Sequence, residues 1–262
     1  MTELLPEFTV EMAAASHAGT QRPHNEDSCA CAPEAGLVAV ADGVSGEKGG
    51  ETASRMAVEG TLRVFREQPG SVATPRRLAR AAQQANIEVH ELSLFVPELR
   101  GMSTTLTAAV IDRGHLYAVH IGDSRIYLLR GGGFTQLTKD HTAAAEHVRL
   151  GVLGDPAFVL TRSLGRDLIC ALDHISMPLL QGDLLVLCSD GLHRVLAESE
   201  MERVVRDADA AGACQRLIET ANGRGTADNL TAAVVRMTGP IPPRPRPAGL
   251  AGRFRQFVGM GR

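Results

Sequence analysis

Aromatic side chains are scarce in this chain: it has no tryptophan, and only two tyrosines and seven phenylalanines among 262 residues. A surface that stacks bases needs such rings, so nucleic acid is not expected as a partner. The cysteines, five in all at positions 29, 31, 170, 188 and 214, are odd in number and form neither a disulfide framework nor a metal-finger spacing. Cys170, Cys188 and Cys214 sit in apolar contexts and read as small core residues. Cys29-Ala30-Cys31 lacks the second pair that a zinc site needs. Free thiols imply a reducing compartment, so a cytoplasmic location is expected. No run approaches the roughly 18 apolar residues of a membrane span. The N-terminus shows no basic segment followed by an apolar core. Basic charge is short as well, except in one place. Five of the 27 Lys and Arg residues lie in Pro240–Arg262, which holds no acid; without them 22 basic residues face 30 acidic ones, a net charge of −8. An acidic body again argues against nucleic acid.

What is present suits a globular body of sizeable core: 44% of residues are hydrophobic and 22% charged. Residues 8–18 predict a strand, followed by a polar, turn-rich loop to Asp27. Ser28–Ala32 and Leu37–Ala41 predict a hairpin. Helical spacing takes over from Glu47 to Glu67, and again from Thr74 to about Phe95, where Thr74-Pro75 supplies a cap residue and a first-turn proline. The middle predicts strands over 103–111, 115–121 and 124–129, whose short turns imply antiparallel neighbours, then a Gly131–Gly133 hairpin tip and a strand over 134–137. A helix over 142–150, strands over 169–175, 183–187 and 230–237, and helices over 198–207 and 209–221 complete the pattern. Blocks of strands and blocks of helices argue for an α+β fold rather than alternating βαβ units.

The chain is organised around Val40-Ala41-Asp42-Gly43-Val44-Ser45-Gly46, where a buried strand stops at an aspartate and a glycine. Alone, Asp-Gly after a strand is ordinarily a turn. Here the theme recurs, because Asp27, Asp123, Asp190 and Asp228 also sit at strand edges or in the adjoining turns. Aspartates with few histidines and no cysteines among them are hard oxygen donors, suited to Mg²⁺ or Mn²⁺ rather than zinc. Two such ions about 3.5–4 Å apart share and acidify a bridging water. Arg22, just upstream of Asp27, offers a forked donor for phosphate. Spacing alone leaves two readings open, a two-metal site or five unrelated turns. His17, His24, His120, His141 and His147 share no ligand spacing, and Gly46-Glu47-Lys48-Gly49 lacks the phosphate-loop pattern.

Taken in order, the motifs resemble those of the metal-dependent protein phosphatases (PPM, the protein phosphatase 2C type) in their compact bacterial form. They are S-x-x-G-x-x-R-x-x-NED from Ser16 to Asp27, VADGVSGEKGGETAS from Val40, GMSTTLTAAV from Gly101 and HIGDSRIYLLR from His120. LTKDH from Leu137 with TRSLG from Thr161, and the pair LLVLCSDGL and ADNLTAAVV, complete the set. The resemblance implies a β-sandwich of two antiparallel sheets flanked by helices, with a two-metal centre at one edge. It implies that Asp42 bridges both ions, that Gly43 lends its carbonyl to one, and that Asp190 and Asp228 hold the second. Glu26 and Asp27 ligate directly or hold metal-bound waters, Asp123 helps hold a third, weaker ion, Arg22 binds phosphate, and Asn229 orients Asp228. The implied activity is hydrolysis of phosphoserine and phosphothreonine in proteins by direct attack of the metal-bridging water, opposing a bacterial serine/threonine kinase. The rival is a catalytically weak relative that binds phosphoproteins or a kinase as a scaffold.

Two departures from the family pattern stand out. Val44 occupies the place where many animal members carry a histidine, and the flap segment 142–160 is shorter than in typical bacterial relatives, with no clear match to the flap serine that ligates the third ion in some of them. The expected division is a catalytic domain over 1–238 and a Pro/Arg-rich linker and tail over 239–262. In that tail Leu250, Phe254, Phe257 and Val258 fall near one helical face with arginines around it, the pattern of a short element that docks on a partner or an anionic membrane surface.

Overall fold

The computed structural model describes residues 9–44, 49–150 and 159–239. Leu37–Asp42 (β3) shows how its sequence builds the molecule. Leu37 through Ala41 are all 0% exposed. A strand is that apolar on both faces only when both faces are covered. Successive side chains alternate: Leu37, Ala39 and Ala41 pack toward helices, while Val38 and Val40 pack toward a second sheet.

Around it, Asp27–Ala32 (β2), Leu106–Asp112 (β4), His115–Ile121 (β5) and Asp173–Pro178 (β8) complete one antiparallel sheet in the order β2-β3-β4-β5-β8. The second sheet joins Val10–His17 (β1), Arg125–Arg130 (β6), Gly133–Gln136 (β7), Leu184–Cys188 (β9) and Leu230–Met237 (β10) in the order β1-β10-β9-β6-β7. Gly50–Glu67 (α1) and Thr74–Phe95 (α2) cover the outer face of the first sheet, and Glu198–Arg206 (α5) and Ala210–Asn222 (α6) cover the second. The fold is the expected α+β sandwich of two antiparallel sheets between helices. Each buried Leu, Val, Ile or Phe contributes about 1.5–3 kcal/mol by leaving water, and Leu185, Leu187, Ile126 and Val235 do so between the sheets.

Several local expectations are corrected. Strands 115–121 and 124–129 are close in sequence but do not pair: β5 bonds β4 and β8, while β6 bonds β7 and β9. The Gly122-Asp123 turn carries the chain from one sheet to the other. Thr74 does not cap α2; Ala73 is the cap residue, and the Thr74 hydroxyl donates to Asp112 Oδ2 at 2.6 Å. The strand expected over 169–175 forms instead at 173–178, because α2 amides claim the backbone before it: Asn86 bonds the carbonyls of Asp167 and Leu168, and Gln83 bonds the Cys170 amide. The first long helix begins at Gly50 rather than Glu47, which lies outside the described residues. Ala143–Leu150 (α3) forms as expected, and a single turn, Asp190–His193 (α4), was not anticipated. The tail expected to dock a partner or a membrane lies at 240–262, outside the described residues. Among the described residues no helix is long and apolar enough to cross a membrane.

Candidate metal centre

Strand ends from both sheets meet at one rim, and the register decides which residues face each other there. Pairing of β2 with β3 sets Asp27 directly opposite Asp42. Pairing of β9 with β10 aligns Cys188 with Ala232 and puts the Ser189 amide on the Thr231 carbonyl at 3.1 Å, so Asp190 leaves one strand at the rim where Asp228-Asn229 enter the other. The turn after β5 adds Asp123.

Asp42 is fixed by its backbone. Its amide donates to Thr105 Oγ1 at 2.9 Å, and its carbonyl accepts from the Thr105 amide at 2.9 Å and the Thr104 hydroxyl at 2.8 Å. The Gly43 amide donates to the Glu26 carbonyl at 3.1 Å. A Cβ on Gly43 would stand 2.4 Å from the Gly50 carbonyl oxygen and 2.7 Å from that of Glu26, so only glycine fits between these chains. The Asp27 carboxyl accepts hydroxyl bonds from Ser189 and Thr231, both at 2.7 Å. Arg194 joins Asp190 at 2.8 Å to Asp123 at 3.1 Å, and Arg22 pairs with Asp228 at 3.0 Å while its Nε donates to the Ala227 carbonyl at 3.1 Å.

The charge of this cluster is not balanced from within. Burial first, offset by the Ser189 and Thr231 hydroxyls, raises the Asp27 carboxyl to about 7. Burial and then the charges of Asp27, Asp190 and Asp123 push Asp42 well above the ordinary carboxylate range. Burial and then Asp190 raise Asp123 to about 7, and Asp228 is raised in the same way, with Arg22 opposing. Crowded carboxylates with raised pKa values want a cation, and the donors are all oxygen. The thiol nearest in sequence to Asp190, Cys188, is pushed up to about 12 by burial and stays neutral. Donor type and charge therefore fit a hard divalent ion. As the side chains stand, the carboxyls bond one another, hydroxyls and arginines, and among the described residues no three His, Cys, Asp or Glu side chains converge on one point. An ion competes with those bonds.

The sequence-expected residues divide into two groups. Asp42, Gly43, Asp123, Asp190 and Asp228 line one cavity of about 790 Å³, together with Val44. Asp27 lies behind them on the inter-strand hydroxyls. Glu26 runs toward the start of α1, where its Oε1 would be 3.0 Å from a Cβ on Gly50. Asn229 reaches Asp228 only through its own amide, at 3.0 Å. Its side chain instead braces the 18–26 loop, accepting from the Glu26 amide at 2.8 Å and donating to the carbonyls of Ala18 and His24 at 2.9 Å each. Sequence reasoning missed Ser189, Thr231 and Arg194. The signal for Arg194 was its position four residues after Asp190, which matters only once Asp190 is seen to open a helical turn.

Comparison with known proteins gives a consistent picture. A family model described as Protein phosphatase 2C matches residues 14–234. The serine/threonine phosphatase stp of Listeria monocytogenes is 32% identical over 231 residues, covering 83% of this chain and 92% of that protein. The crystal structure of the catalytic domain of the serine/threonine protein phosphatase PstP, in complex with two manganese ions, superposes with a TM-score of 0.78 at 34% identity, covering 87% of this chain and 98% of that one. PppA of Pseudomonas aeruginosa, described as a key regulatory component of a type VI secretion system (T6SS), superposes with a TM-score of 0.77 at 32% identity, over 87% of this chain and 97% of that one.

Proposed function

The chain belongs to the protein phosphatase 2C family, and from that membership we propose how its own residues carry out the hydrolysis of phosphoserine and phosphothreonine in proteins. It is a metal-dependent serine/threonine protein phosphatase using Mn²⁺ or Mg²⁺. The observation that supports the residue assignment is the cluster of buried, mutually repelling carboxyls at one end of a single cavity.

When bound, divalent ions held by these carboxylates would neutralise the substrate phosphate and acidify a water for attack. Asp42 would be a ligand to the ions, and Thr104 and Thr105 clamp its backbone on both sides. The Gly43 carbonyl, Asp190 and Asp228 would complete the inner donor set, with Asp27 at the start of β2 and Glu26 just before it in support. Arg22 lies against Asp228; it has five N–H donors, so its bonds to Asp228 and Ala227 leave others for a phosphate oxygen. Val44 carries no proton, so the leaving alkoxide is not protonated from that position. Asn229 keeps the Arg22 loop against the sheet edge through its three side-chain bonds.

The physiological substrates are phosphoproteins, and the opposing enzyme is a serine/threonine kinase. A cytoplasmic setting accords with five cysteines that are all free. The test is p-nitrophenyl phosphate turnover with and without Mn²⁺. Metal-dependent turnover is expected; its absence at every pH from about 6 to 9 would leave the scaffold reading instead.

A further inference from the structure

The cavity does not end at the carboxylates. It continues along the C-terminal end of α2, past Leu94, to a wall made by Arg100 and by the segment ending in Arg166. This far end has a different chemistry. Among the described residues, every acid that lines the cavity belongs to the metal end, and the far end carries two exposed guanidiniums instead. The arginines beside the carboxylates are committed, Arg22 to Asp228 and Arg194 to Asp123 and Asp190. Among the described residues, the side chains of Arg100 and Arg166 have no ion pair or hydrogen bond. Between them and the metal end, Leu94 and Val159 leave an apolar strip, each 61% exposed.

The wall is built, not draped. Asn86, 0% exposed on the inner side of α2, accepts from the Gly165 amide at 2.8 Å and donates to the carbonyls of Asp167 and Leu168 at 2.9 and 3.0 Å. His90 bonds the Gly165 carbonyl at 3.0 Å, and Leu164 exchanges two backbone bonds with Thr104, at 3.0 and 2.8 Å. Gly165 has φ +92°, and a Cβ there would fall 2.5 Å from Val89 Cγ1, so the segment lies closer to α2 than any other residue permits. Arg100 follows the one-turn helix Pro97–Leu99 and precedes Met102, whose amide bonds the Leu99 carbonyl at 3.0 Å and whose side chain is buried. Both arginines thus project from backbone already fixed to the core, so only their side chains remain to be ordered on binding.

We propose that this wall is a substrate subsite selecting phosphoserine and phosphothreonine sites flanked by aspartate or glutamate, with Arg100 and Arg166 as its specificity-determining residues. The inference rests on the phosphatase reading. A guanidinium pairs with a carboxylate in a fork. A basic flanking residue would find no carboxylate among the described residues at this end and would meet two like charges. The apolar strip takes the stem of the intervening residue.

The experiment compares kcat/KM of the wild-type enzyme with Mn²⁺ on three phosphopeptides of one length, flanked by Glu, by Ser or by Lys, and on p-nitrophenyl phosphate. Exposed pairs change affinity up to about fivefold each, so the Glu peptide is expected to exceed the Lys peptide by about tenfold or more at low salt. The preference should reside in KM and shrink as ionic strength rises. Arg100→Ser and Arg166→Ser should each lower the Glu-to-Lys ratio, and the double variant should bring it near one. A flat wild-type panel, a preference for Lys, or a double variant that keeps the ratio overturns the proposal. Turnover of p-nitrophenyl phosphate separates the two failures: with it, a flat panel refutes the subsite alone; without it, the phosphatase reading falls as well.

Discussion

Replacing Arg194 with Met tests whether the arginine is the cluster's own counter-charge. Its guanidinium lies 2.8 Å from Asp190 and 3.1 Å from Asp123, whose side chains are 12% and 7% exposed, whereas its own is 40% exposed. Two unit charges about 4 Å apart at an effective dielectric near 20 attract by roughly 4 kcal/mol. Solvent at the exposed end and salt cut this toward about 1–2 kcal/mol for the whole bridge. Methionine keeps most of the apolar stem, so the charge is what is lost. In EDTA the variant should melt lower by about 2–8 °C, at 2–4 °C per kcal/mol for a chain of this size. The effect on metal binding has the opposite sign. A cation that competes with the ion is gone, and about 1 kcal/mol of relief corresponds to Mn²⁺ binding tighter by roughly fivefold. Melting curves over a Mn²⁺ titration, with calorimetric affinities, read both effects: a lower starting point and a larger metal-induced rise. If the metal-free melting point is unchanged, or Mn²⁺ binds more weakly to the variant, Arg194 does not play this role.

Four further outcomes follow from the same geometry. Asp42→Asn should cut kcat/KM at least about a hundredfold while raising the metal-free melting point, because the buried repulsion around Asp42 is removed; a variant that is inactive but no more stable would contradict the electrostatic reading. His120 is buried against Thr107 and the Lys139 carbonyl, and burial, then His141, lowers its imidazole to about 4. Its contribution is therefore present above pH 6.5 and is lost as pH falls to about 4, an upper bound of about 3 kcal/mol, seen as the pH-dependent difference in urea midpoint between wild type and His120→Gln. Asn86→Ala strips partners from the Gly165 amide and two carbonyls, and should cost about 2–4 kcal/mol in urea unfolding; a cost below about 0.5 kcal/mol would show that the wall does not depend on it. Truncation after Gly239 keeps the bonds of the Thr238 and Gly239 amides to the Thr9 carbonyl, so turnover should persist while any association of the tail with anionic vesicles is lost; a truncated protein without turnover would tie 240–262 to the catalytic body.

Much of this molecule is legible in one sequence, for identifiable reasons. Leu37–Ala41 and Leu184–Cys188 read as strands because both faces are buried, and α2 reads from Thr74 to Phe95 because its alanines, Leu78 and Val89 recur at helical spacing. Asp42, Asp123, Asp190 and Asp228, which line one cavity, stood out in the sequence because a strand end is a place where backbone is fixed and a side chain is free. The sheet membership of β6 could not be found in this way, since a turn as short as Gly122-Asp123 ordinarily makes a hairpin and here crosses between sheets. The misplaced β8 has the same origin. Its apolar run begins at Ile169, but side chains of α2, remote in sequence, occupy the backbone groups that a strand would have used. Periodicity reports which faces are apolar; it is silent about which partner claims a hydrogen bond.

The site also shows why its carriers lie where they do. Crowded carboxyls repel, and a loop carrying them would relax apart. Here each stands at or next to the end of an element whose neighbours are fixed by sheet pairing: Asp42 against Asp27 across β2 and β3, with Asp190 just after β9 and Asp228 just before β10. The sandwich, stabilised by its three apolar clusters, holds charges at a spacing they would not choose. The hydroxyls of Ser189 and Thr231 and the two arginines offset only part of the repulsion, as the raised carboxyls of Asp27 and Asp123 record. The remainder is available to an ion. Metal that binds only the folded chain stabilises it, by about 2.7 kcal/mol at a hundred times its dissociation constant. The same unrelieved charge that makes the metal-free fold less stable is thus what would draw an ion to the rim, and in the proposed centre folding and metal affinity are set by one arrangement of strand ends.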